Sequence, residues 1–459
     1  MKRVGPVVKA VAGTHRGTAL LTVTLVLTIG LYSFENLAIT TVMPAVTRDL
    51  GGLSLYGAAF SAYLLGSVVS LVIAGSACDR VGPFRVLTVG LATFTIGLLL
   101  AGLAPNIETL VATRAVQGAG GGAMFSAAYV GIALGYRYAQ HARMFALLAS
   151  AWVVPSFVAP ALAALIAEHA GWRVVFLSVL PFPFVVMGLG ARSLRQIPTP
   201  ASSEPREGLL RPALSSAVGI AVLLGGADTS VDMSIVLRGL LLIVGGVLLT
   251  VGLHRLLPPG TLLARPGVPS AVLARGMLAL AFLSAFALTP LALKELRGES
   301  LAFSGAVLAV PSVSWTAAAF LHSRWHERVS TRVAMGIGCT ATTVGLALTW
   351  SVLGWGLPMP FLFAGWLVAG AGMGLAFNAS AVFTMASATL GREGRAASGL
   401  QLAEPLGAAI GTGISGIVLS ALADDSAPGE HAFAFVWLVL VLAAALSVGV
   451  AFQLGRQSR

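Results

Sequence analysis

The sequence has 459 residues, of which 57% are hydrophobic and 10% are charged, and its mean hydropathy is +0.91. Soluble domains carry about 25% charged residues, so this composition excludes an ordinary water-soluble enzyme. Two cysteines, Cys78 and Cys339, are too few for a disulfide framework. A membrane helix needs roughly 20 apolar residues, and the chain has enough of them for around a dozen helices. It is therefore predicted to be an all-α membrane protein.

Hydrophobic runs separated by short polar breaks predict 14 transmembrane segments. The segments lie near residues 18–43, 54–76, 86–104, 108–134, 144–167, 174–191, 212–228, 236–253, 276–293, 301–321, 333–353, 358–389, 396–423 and 432–454. The first run continues into Glu35 and Asn36 without a cleavage site, so we expect no cleavable signal peptide.

The basic residues predict the orientation. If the N-terminus is cytoplasmic, the inner loops and termini hold 22 of the 28 lysines and arginines, and the outer loops hold five. The five outer residues are Arg48, Arg173, Arg238, Lys294 and Arg297, and Arg114 alone is expected inside a helix. Because positive charge is enriched on the cytoplasmic side of membrane proteins, both termini are predicted to be cytoplasmic. A protein with 12 helices would divide its basic residues between inner and outer loops in the same way. The prediction of two extra helices therefore depends on the apolar runs near 212–228 and 236–253.

The net charge of +11 has a simple explanation in this topology. Basic cytoplasmic loops facing anionic lipid account for it, and no nucleic-acid partner is expected. Only three lysines accompany 25 arginines, a bias that indicates a high-GC bacterial genome. The expected location is therefore the bacterial inner membrane.

Two sequence echoes indicate an internal duplication. Residues 116–127 resemble residues 368–379 at an offset of 252, and residues 79–82 resemble residues 327–330 at an offset of 248. Chance similarity between Gly/Ala-rich helices is the alternative, but it explains both echoes less well than the first alone. The predicted organisation is an N-terminal six-helix half, a linker with two extra transmembrane helices and a C-terminal six-helix half, at 1–191, 192–275 and 276–459.

Three ionisable residues lie well inside predicted segments, away from the segment ends: Glu35, Arg114 and Glu404. An ionised side chain at the bilayer centre costs roughly 2.5–3.5 kcal/mol, so each should face the bundle interior or a water-filled cavity. Burial favours the neutral form of a carboxyl group, whereas a nearby arginine favours the ionised form. A glutamate between these influences can gain and lose a proton, as a proton-coupled carrier requires. A structural ion pair between helices is the alternative for all three.

Polar residues accompany these charges and extend the candidate site. Residues three or four apart on a helix share a face. The predicted substrate cavity comprises Tyr32, Asn36, Gln117, Asn378 and Gln401. For Asn378, a hydrogen bond that holds two helices together is an equal alternative.

Other classes of membrane protein lack support in the sequence. The nucleotide-binding pattern G-x-x-x-x-G-K-[ST] does not occur, and neither do the hydrolase patterns H-E-x-x-H and G-x-S-x-G. All seven histidines lie in predicted loops or at helix ends, so we expect no metal site and no cofactor. The longest inner connections, 192–211 and 254–275, are too short for the soluble domain of a sensor or scaffold.

Several motifs resemble the major facilitator superfamily, in particular its 14-helix drug:proton antiporter branch. The loop after the second segment carries a pattern similar to the family's G-x-x-x-D-R-x-G signature, formed by Gly75, Asp79, Arg80, Gly82 and Arg85. Residues 114–120 resemble the R-x-x-Q-G-x-G stretch of the family. Residues 34–44 resemble its first-helix signature, in which aspartate is commoner than the glutamate found here. The resemblance covers nearly the whole chain.

The resemblance implies a major facilitator fold with two six-helix pseudo-symmetric halves and two extra central helices. It implies that the loop motif latches one conformation and that Arg114 takes part in proton coupling. The antiporter signature of the fifth helix is altered: Pro160 is present, but Ala159, Ala163 and Ala164 stand where glycines are expected. This departure leaves the direction of transport open.

The leading hypothesis is a secondary transporter, not an enzyme, that exports amphipathic or cationic drugs by proton-coupled alternating access. Glu35 would be the main proton acceptor, Arg114 would tune it, and Glu404 would provide a second carboxylate for a proton or a charged substrate. The alternative is proton-coupled uptake or export of a defined metabolite or lipid-like compound. The expected partners are a small-molecule substrate, protons and membrane lipids, and the protein is expected to act as a monomer.

Overall fold

The computed structural model describes residues 15–137, 140, 143, 144, 147, 148, 150–197, 208–228, 232–325, 329–387, 393–424 and 427–454. Within these residues, 14 helices are long and apolar enough to cross a membrane, which confirms the predicted number. The helices are α1 His15–Leu50, α2 Tyr56–Val81, α3 Pro83–Gly102, α4 Ile107–Gly135, α5 Val153–Ala170, α6 Trp172–Ser193, α7 Leu210–Ala227, α8 Ile235–Leu256, α9 Val268–Arg297, α10 Leu301–Trp325, α11 Thr331–Trp355, α12 Pro360–Ser387, α13 Glu393–Ala421 and α14 Glu430–Ala451.

Few other regular elements occur in the described part of the chain. Helix α6 consists of two segments, Trp172–Ser178 and Pro181–Ser193. Two short strands, β1 (Ala423–Asp424) and β2 (Ala427–Pro428), pair antiparallel after α13. The molecule is therefore an all-α membrane protein, as predicted.

Turn and capping residues set the helix limits. Gly82 adopts φ 84° between α2 and α3, a conformation that glycine tolerates best. Pro83 then occupies the first turn of α3, where its missing N–H is not needed. At the start of α4, the Asn106 side chain accepts a 2.9 Å hydrogen bond from the backbone N–H of Thr109.

The helices extend beyond the apolar segments, and this corrects one prediction. Helix α9 begins at Val268, well before the predicted start at residue 276, with Pro269 in its first turn. Arg275 therefore lies inside α9, and the expectation that Arg114 is the only basic residue within a helix is wrong. The physical reason is that a helix continues through the headgroup region, where arginine side chains can reach water.

Glycines bring α4 into backbone contact with α2. A Cβ atom at Gly118 would lie 1.9 Å from the carbonyl oxygen of Tyr63, and one at Gly122 would lie 2.3 Å from that of Ser67. No larger residue fits at either position without moving the helices apart. Helix α3 packs on α4 in the same way, through Gly90.

The C-terminal helices repeat these contacts. The equivalent neighbours are Gly370 with the Pro311 carbonyl, Gly374 with the Trp315 carbonyl, and Gly338 with the backbone of Ala376. Positions on α12 follow those on α4 by 252 residues, whereas positions on α10 and α11 follow those on α2 and α3 by 248. These are the offsets of the two sequence echoes, so the duplication is also present in the packing. Glu327 and Arg328 of the second echo lie outside the described residues.

For description, α1–α6 are called the first half and α9–α14 the second half. Helix α2 packs on α13, and α5 packs on α10. In both contacts the second helix of one half lies against the fifth helix of the other half. At the start of α2, the Tyr56 hydroxyl donates a 2.9 Å hydrogen bond to the Ala287 carbonyl of α9. Near the ends of α1 and α9, Arg48 Nη2 lies 3.6 Å from Glu295 Oε1. These contacts join the two halves at one end of the bundle, which we call the closed end.

Helices α7 and α8 lie at the side of the bundle. They pack on each other, and α7 also contacts α2 and α13. Ile235, Val236 and Ile243 of α8 are 67–81% exposed, as expected of a helix whose outer face meets lipid. The limits proposed for this linker, residues 192 and 275, stay a prediction.

Candidate functional site

A buried ion pair joins α1 to α4. Arg114 Nη1 donates a hydrogen bond to Glu35 Oε1 and a second one, of 2.7 Å, to Gln117 Oε1. Glu35 is 0% exposed and Arg114 is 2% exposed. The guanidinium carbon of Arg114 also lies 4.3 Å from the ring centroid of Tyr63 on α2. Three residues predicted from the sequence thus meet in one network.

Local helix geometry explains this arrangement. Gln117 lies three residues after Arg114, so both side chains project from the same face of α4. One position further on, Gly118 brings α4 against the backbone of Tyr63, which places that ring beside the guanidinium group. Sequence analysis did not single out Tyr63, and the only signal for it was this glycine in the 114–120 motif.

The hydrogen bonding of the pair is incomplete. Glu35 Oε2, Arg114 Nε and Gln117 Nε2 are buried and form no hydrogen bond within the part of the chain that the structure describes. Buried polar atoms are rarely left in this state, because each costs about 1–3 kcal/mol. A proton can be accepted on Oε2 of Glu35 while Oε1 keeps its bond to Arg114. The pair therefore has the chemistry of a proton site.

Asn36 and Tyr32 connect the ion pair to aromatic side chains. Asn36 Nδ2 donates hydrogen bonds to the Tyr63 hydroxyl (3.2 Å) and to the Tyr32 carbonyl (2.9 Å). The Tyr32 ring centroid lies 5.9 Å from the centroids of Phe125 and Trp152. The result is a surface with both polar and aromatic groups on the first half.

A second ion pair lies in the second half. Arg275 Nη2 of α9 is 3.0 Å from Glu404 Oε2 of α13, and the two side chains are 13% and 36% exposed. The guanidinium carbon of Arg275 lies 3.9 Å from the ring centroid of Phe377 on α12. The hydropathy pattern places Arg275 in the loop 254–275, so this partner of Glu404 was not predicted from the sequence.

Small residues next to these charges bring their helices together. A Cβ atom at Gly407 would lie 2.1 Å from the carbonyl oxygen of Gly276, so α9 and α13 touch along their backbones. Gly276 follows Arg275 directly, and Gly407 lies one turn after Glu404. The contact therefore fixes the two charged side chains within reach of each other.

Glu404 also faces the first half. Its carboxylate is close enough to Tyr32 and Tyr129 to interact with both electrostatically. Gln401, one turn before Glu404 on α13, is half-buried. A site between the two halves would thus have a carboxylate on one side and tyrosines on the other.

The two arginines lie toward opposite ends of the bundle. Gly52 packs against Ile107, so α4 begins at the closed end, and Arg114 follows seven residues later. Helix α9 runs toward the closed end, so Arg275, seven residues after its first residue, lies near the opposite end. At 1.5 Å per residue, each arginine is about 10 Å from the start of its helix. The more exposed pair, Arg275 with Glu404, is the one whose arginine lies far from the closed end.

The remaining predicted residues take other positions. Asn378 Nδ2 donates a 2.9 Å hydrogen bond to the Ala319 carbonyl, which links α12 to α10. Pro160 of α5 is buried against Gly305 of α10, between the two halves. Neither residue belongs to the ion-pair networks found among the described residues.

The loop motif surrounds the turn between α2 and α3. Gly75, Asp79 and Arg80 lie in the last two turns of α2, Gly82 makes the turn, and Arg85 lies in the first turn of α3. Among the residues that the structure describes, no ion pair joins Asp79 to either arginine.

A cavity of about 580 Å³ lies beside the bundle, between α2, α4, α7 and α13. Its lining is apolar and contains small residues such as Ala58, Ala115 and Ala217. It includes none of the five residues predicted to form the substrate cavity. Sequence analysis gave no signal for it.

A solved structure of another membrane protein has a similar architecture. The solved structure of a bacterial homologue of the human lysosomal transporter Spinster, in an inward-facing and unoccupied conformation, superposes with a TM-score of 0.69. The alignment covers 97% of this chain and 100% of that one, at 14% sequence identity. This similarity shows the fold alone: a bundle of membrane-spanning helices.

Residues 25–316 match the Major Facilitator Superfamily, and the chain belongs to this family. It is 29% identical to efflux pump FUS6 of Gibberella moniliformis over 219 residues, and 30% identical to multidrug transporter protein MdtP of Bacillus subtilis over 183 residues. The two alignments cover 47% and 40% of this chain, but only 38% and 34% of those relatives. Relatives of this kind are consistent with the drug:proton antiporter branch.

Proposed function

We propose that this transporter exports amphipathic or cationic small molecules in exchange for protons, by alternating access. The observation that carries the proposal is the Glu35–Arg114 pair, a carboxylate buried in a membrane helix bundle with one oxygen unbonded. Intramembrane ionisable pairs of this kind mark ion and proton pathways in transporters. The names of the relatives, which include multidrug efflux pumps, support the substrate class.

In this mechanism Glu35 accepts the proton, and Arg114 tunes the proton affinity of Glu35. With Glu35 ionised, the guanidinium group neutralises a charge that is out of contact with water. When Glu35 takes a proton on Oε2, Arg114 is left with its bonds to Glu35 Oε1 and Gln117, and its attraction to α1 is weaker. Protonation therefore alters the force between α1 and α4, two helices of the same half.

The substrate would bind between the halves, on surfaces that Tyr32, Asn36, Gln117, Asn378 and Gln401 help to form. Glu404 supplies the second carboxylate, for the charge of a cation or for a second proton. The halves, residues 1–191 and 276–459, rock about this site. Pro160, at the contact of α5 with α10, and the Gly75–Arg85 motif act in this motion.

The proposed setting is the inner membrane of a bacterium, with both termini cytoplasmic and the protein acting as a monomer among membrane lipids. The closed end then faces outward, and the Arg275–Glu404 pair is reached from the cytoplasm. A drug that has entered the cell would meet Glu404 first, which suits export.

The test is the accumulation of ethidium, a lipophilic cation, in bacterial cells that express the protein. Cells with the wild-type protein are expected to hold less dye than cells without it, and a protonophore should remove the difference. Glu35→Gln should behave like cells without the protein. Glu108→Gln, an exposed glutamate in the first turn of α4, is the matched control and should behave like wild type. Higher dye content in expressing cells would overturn export.

The second candidate is proton-coupled transport of a defined metabolite or lipid-like compound, including uptake. Ala159, Ala163 and Ala164 of α5 favour it, because they replace the glycines expected in the antiporter signature. Alanine keeps the helix surface small but restricts its backbone. Loss of the dye effect together with gradient-driven metabolite transport would select this function.

A further inference from the structure

Arg275 sits in its pocket as a bound cation would. Its guanidinium carbon lies over the Phe377 ring, 3.9 Å from the centroid. Its Nη2 atom donates to Glu404 Oε2 at 3.0 Å, and its Nη1 atom donates to the Phe377 carbonyl at 3.3 Å and the Ser380 hydroxyl at 3.4 Å. A carboxylate, two neutral acceptors and an aromatic face make a complete site for one planar cation.

The arginine is held less firmly than Arg114. Two of its three hydrogen-bond contacts are longer than the usual 2.7–3.2 Å for N–H···O bonds. Glu404 is 36% exposed, so solvent weakens the pair, whereas Glu35 and Arg114 are almost completely buried. The site can therefore exchange its occupant at little cost.

We propose that the Arg275 side chain is an internal placeholder in a binding site for planar, delocalised cations, and that a guanidinium or amidinium group of the substrate displaces it from Glu404 and Phe377. This inference rests on the proposed function and names the substrate chemistry of its second carboxylate. Trp315 extends the aromatic surface of the site, because its ring centroid lies 5.0 Å from that of Phe377.

A placeholder has a measurable consequence. A ligand that competes with Arg275 binds only to the fraction of molecules in which the arginine has left, so its apparent affinity is lowered by that fraction. Removing the arginine should tighten binding, whereas removing an ordinary structural or substrate-contacting arginine should weaken it or leave it unchanged. The sign of the effect separates the two roles.

The experiment measures benzamidinium binding to the purified full-length protein in lipid nanodiscs by calorimetry, with neutral benzamide as the second probe. Arg275→Met should bind benzamidinium about tenfold more tightly than wild type, as expected if the arginine leaves its site roughly a tenth of the time. Benzamide binding should not change. The gain should vanish in Arg275→Met/Glu404→Gln, which lacks the carboxylate.

Arg48→Met is the matched control, because it removes an arginine from a glutamate at the closed end. It should bind benzamidinium like wild type. Arg275→Gln repeats the test if the methionine variant does not give monodisperse protein. Unchanged or weaker benzamidinium binding in a folded Arg275 variant would refute the placeholder. No pH gradient is involved, so this result is independent of whether dye export by the wild type is confirmed.

Discussion

At the scale of single residues, the buried Glu35–Arg114 pair is the central feature of the proposed mechanism. Taking two charges out of water is expensive, and only their mutual contact offsets the cost. Loss of one partner leaves the other charge buried and unpaired. The pair therefore makes a specific prediction about stability that does not depend on transport.

Arg114→Met is expected to destabilise the protein by about 3–5 kcal/mol, because Glu35 would stay buried without its partner. Replacing both residues, in Glu35→Met/Arg114→Met, should recover most of this loss, since apolar residues can substitute for a buried pair. The measurement is the unfolding midpoint in detergent, by heat or denaturant.

The control for this prediction is the surface pair of Arg173 and Asp49, whose side chains are 41% and 52% exposed. Arg173→Met should cost no more than about 1 kcal/mol, because exposed ion pairs contribute little. If Arg114→Met proves no more harmful than Arg173→Met, the pair does not have the stabilising role assigned to it.

At the scale of helices, glycine contacts position the charged side chains. Gly118 sets the distance of α4 from α2 and thereby the place of Tyr63 beside Arg114. Gly407 does the same for α9 and α13, and so for Arg275 and Glu404. The ion pairs are thus consequences of backbone packing, and a glycine that takes no part in the hydrogen bonds should affect both fold and site.

Gly118→Ala is expected to destabilise the protein by about 1–3 kcal/mol, because its Cβ atom would lie 1.9 Å from the Tyr63 carbonyl and α2 must move away. Gly370→Ala, the equivalent change in α12, should cost a similar amount. Gly188→Ala is the control: it lies in α6, and its Cβ atom would meet no other atom within 4 Å. Equal melting temperatures for Gly118→Ala and Gly188→Ala would contradict the packing argument.

Some of these elements were predictable from the sequence and others were not. The number of helices follows from apolar runs, and Glu35 and Arg114 stood out because charge is costly in a membrane. Gln117 stood out because it shares a helix face with Arg114. Arg275 did not, because it lies at the edge of an apolar run and the hydropathy pattern ends there. Its pairing with Glu404 spans 129 residues and depends on the contact of Gly276 with Gly407, which no local pattern reveals.

At the scale of the whole molecule, the two halves share their packing but not their charges. Gly30 of α1 faces the Ala151 carbonyl, as Gly276 of α9 faces the Ala403 carbonyl, so α9 follows α1 by 246 residues. By these offsets Glu35 corresponds to Ala281, and Arg114 corresponds to Trp366.

The Arg275–Glu404 pair of the second half likewise has no charged equivalent in the first half. By the same offsets Arg275 corresponds to Ile29, and Glu404 corresponds to Trp152, which packs against Tyr32. Each half therefore has an ion pair where the other has apolar or aromatic groups. In the proposed mechanism the proton and the substrate are bound by different ion pairs, whose arginines lie toward opposite ends of the bundle and which are coupled through the motion of the halves.

The most direct test of the central claim, that Glu35 couples protons to transport, uses purified protein in liposomes with an imposed pH gradient and ethidium as the substrate. We predict that wild type and Glu108→Gln accumulate the dye against its gradient. Glu35→Gln should lose this accumulation but still exchange dye across the membrane at equal concentrations, because its substrate site is intact. Gradient-driven accumulation that survives in Glu35→Gln would contradict the account and move the coupling to another residue, with Glu404 the first to examine.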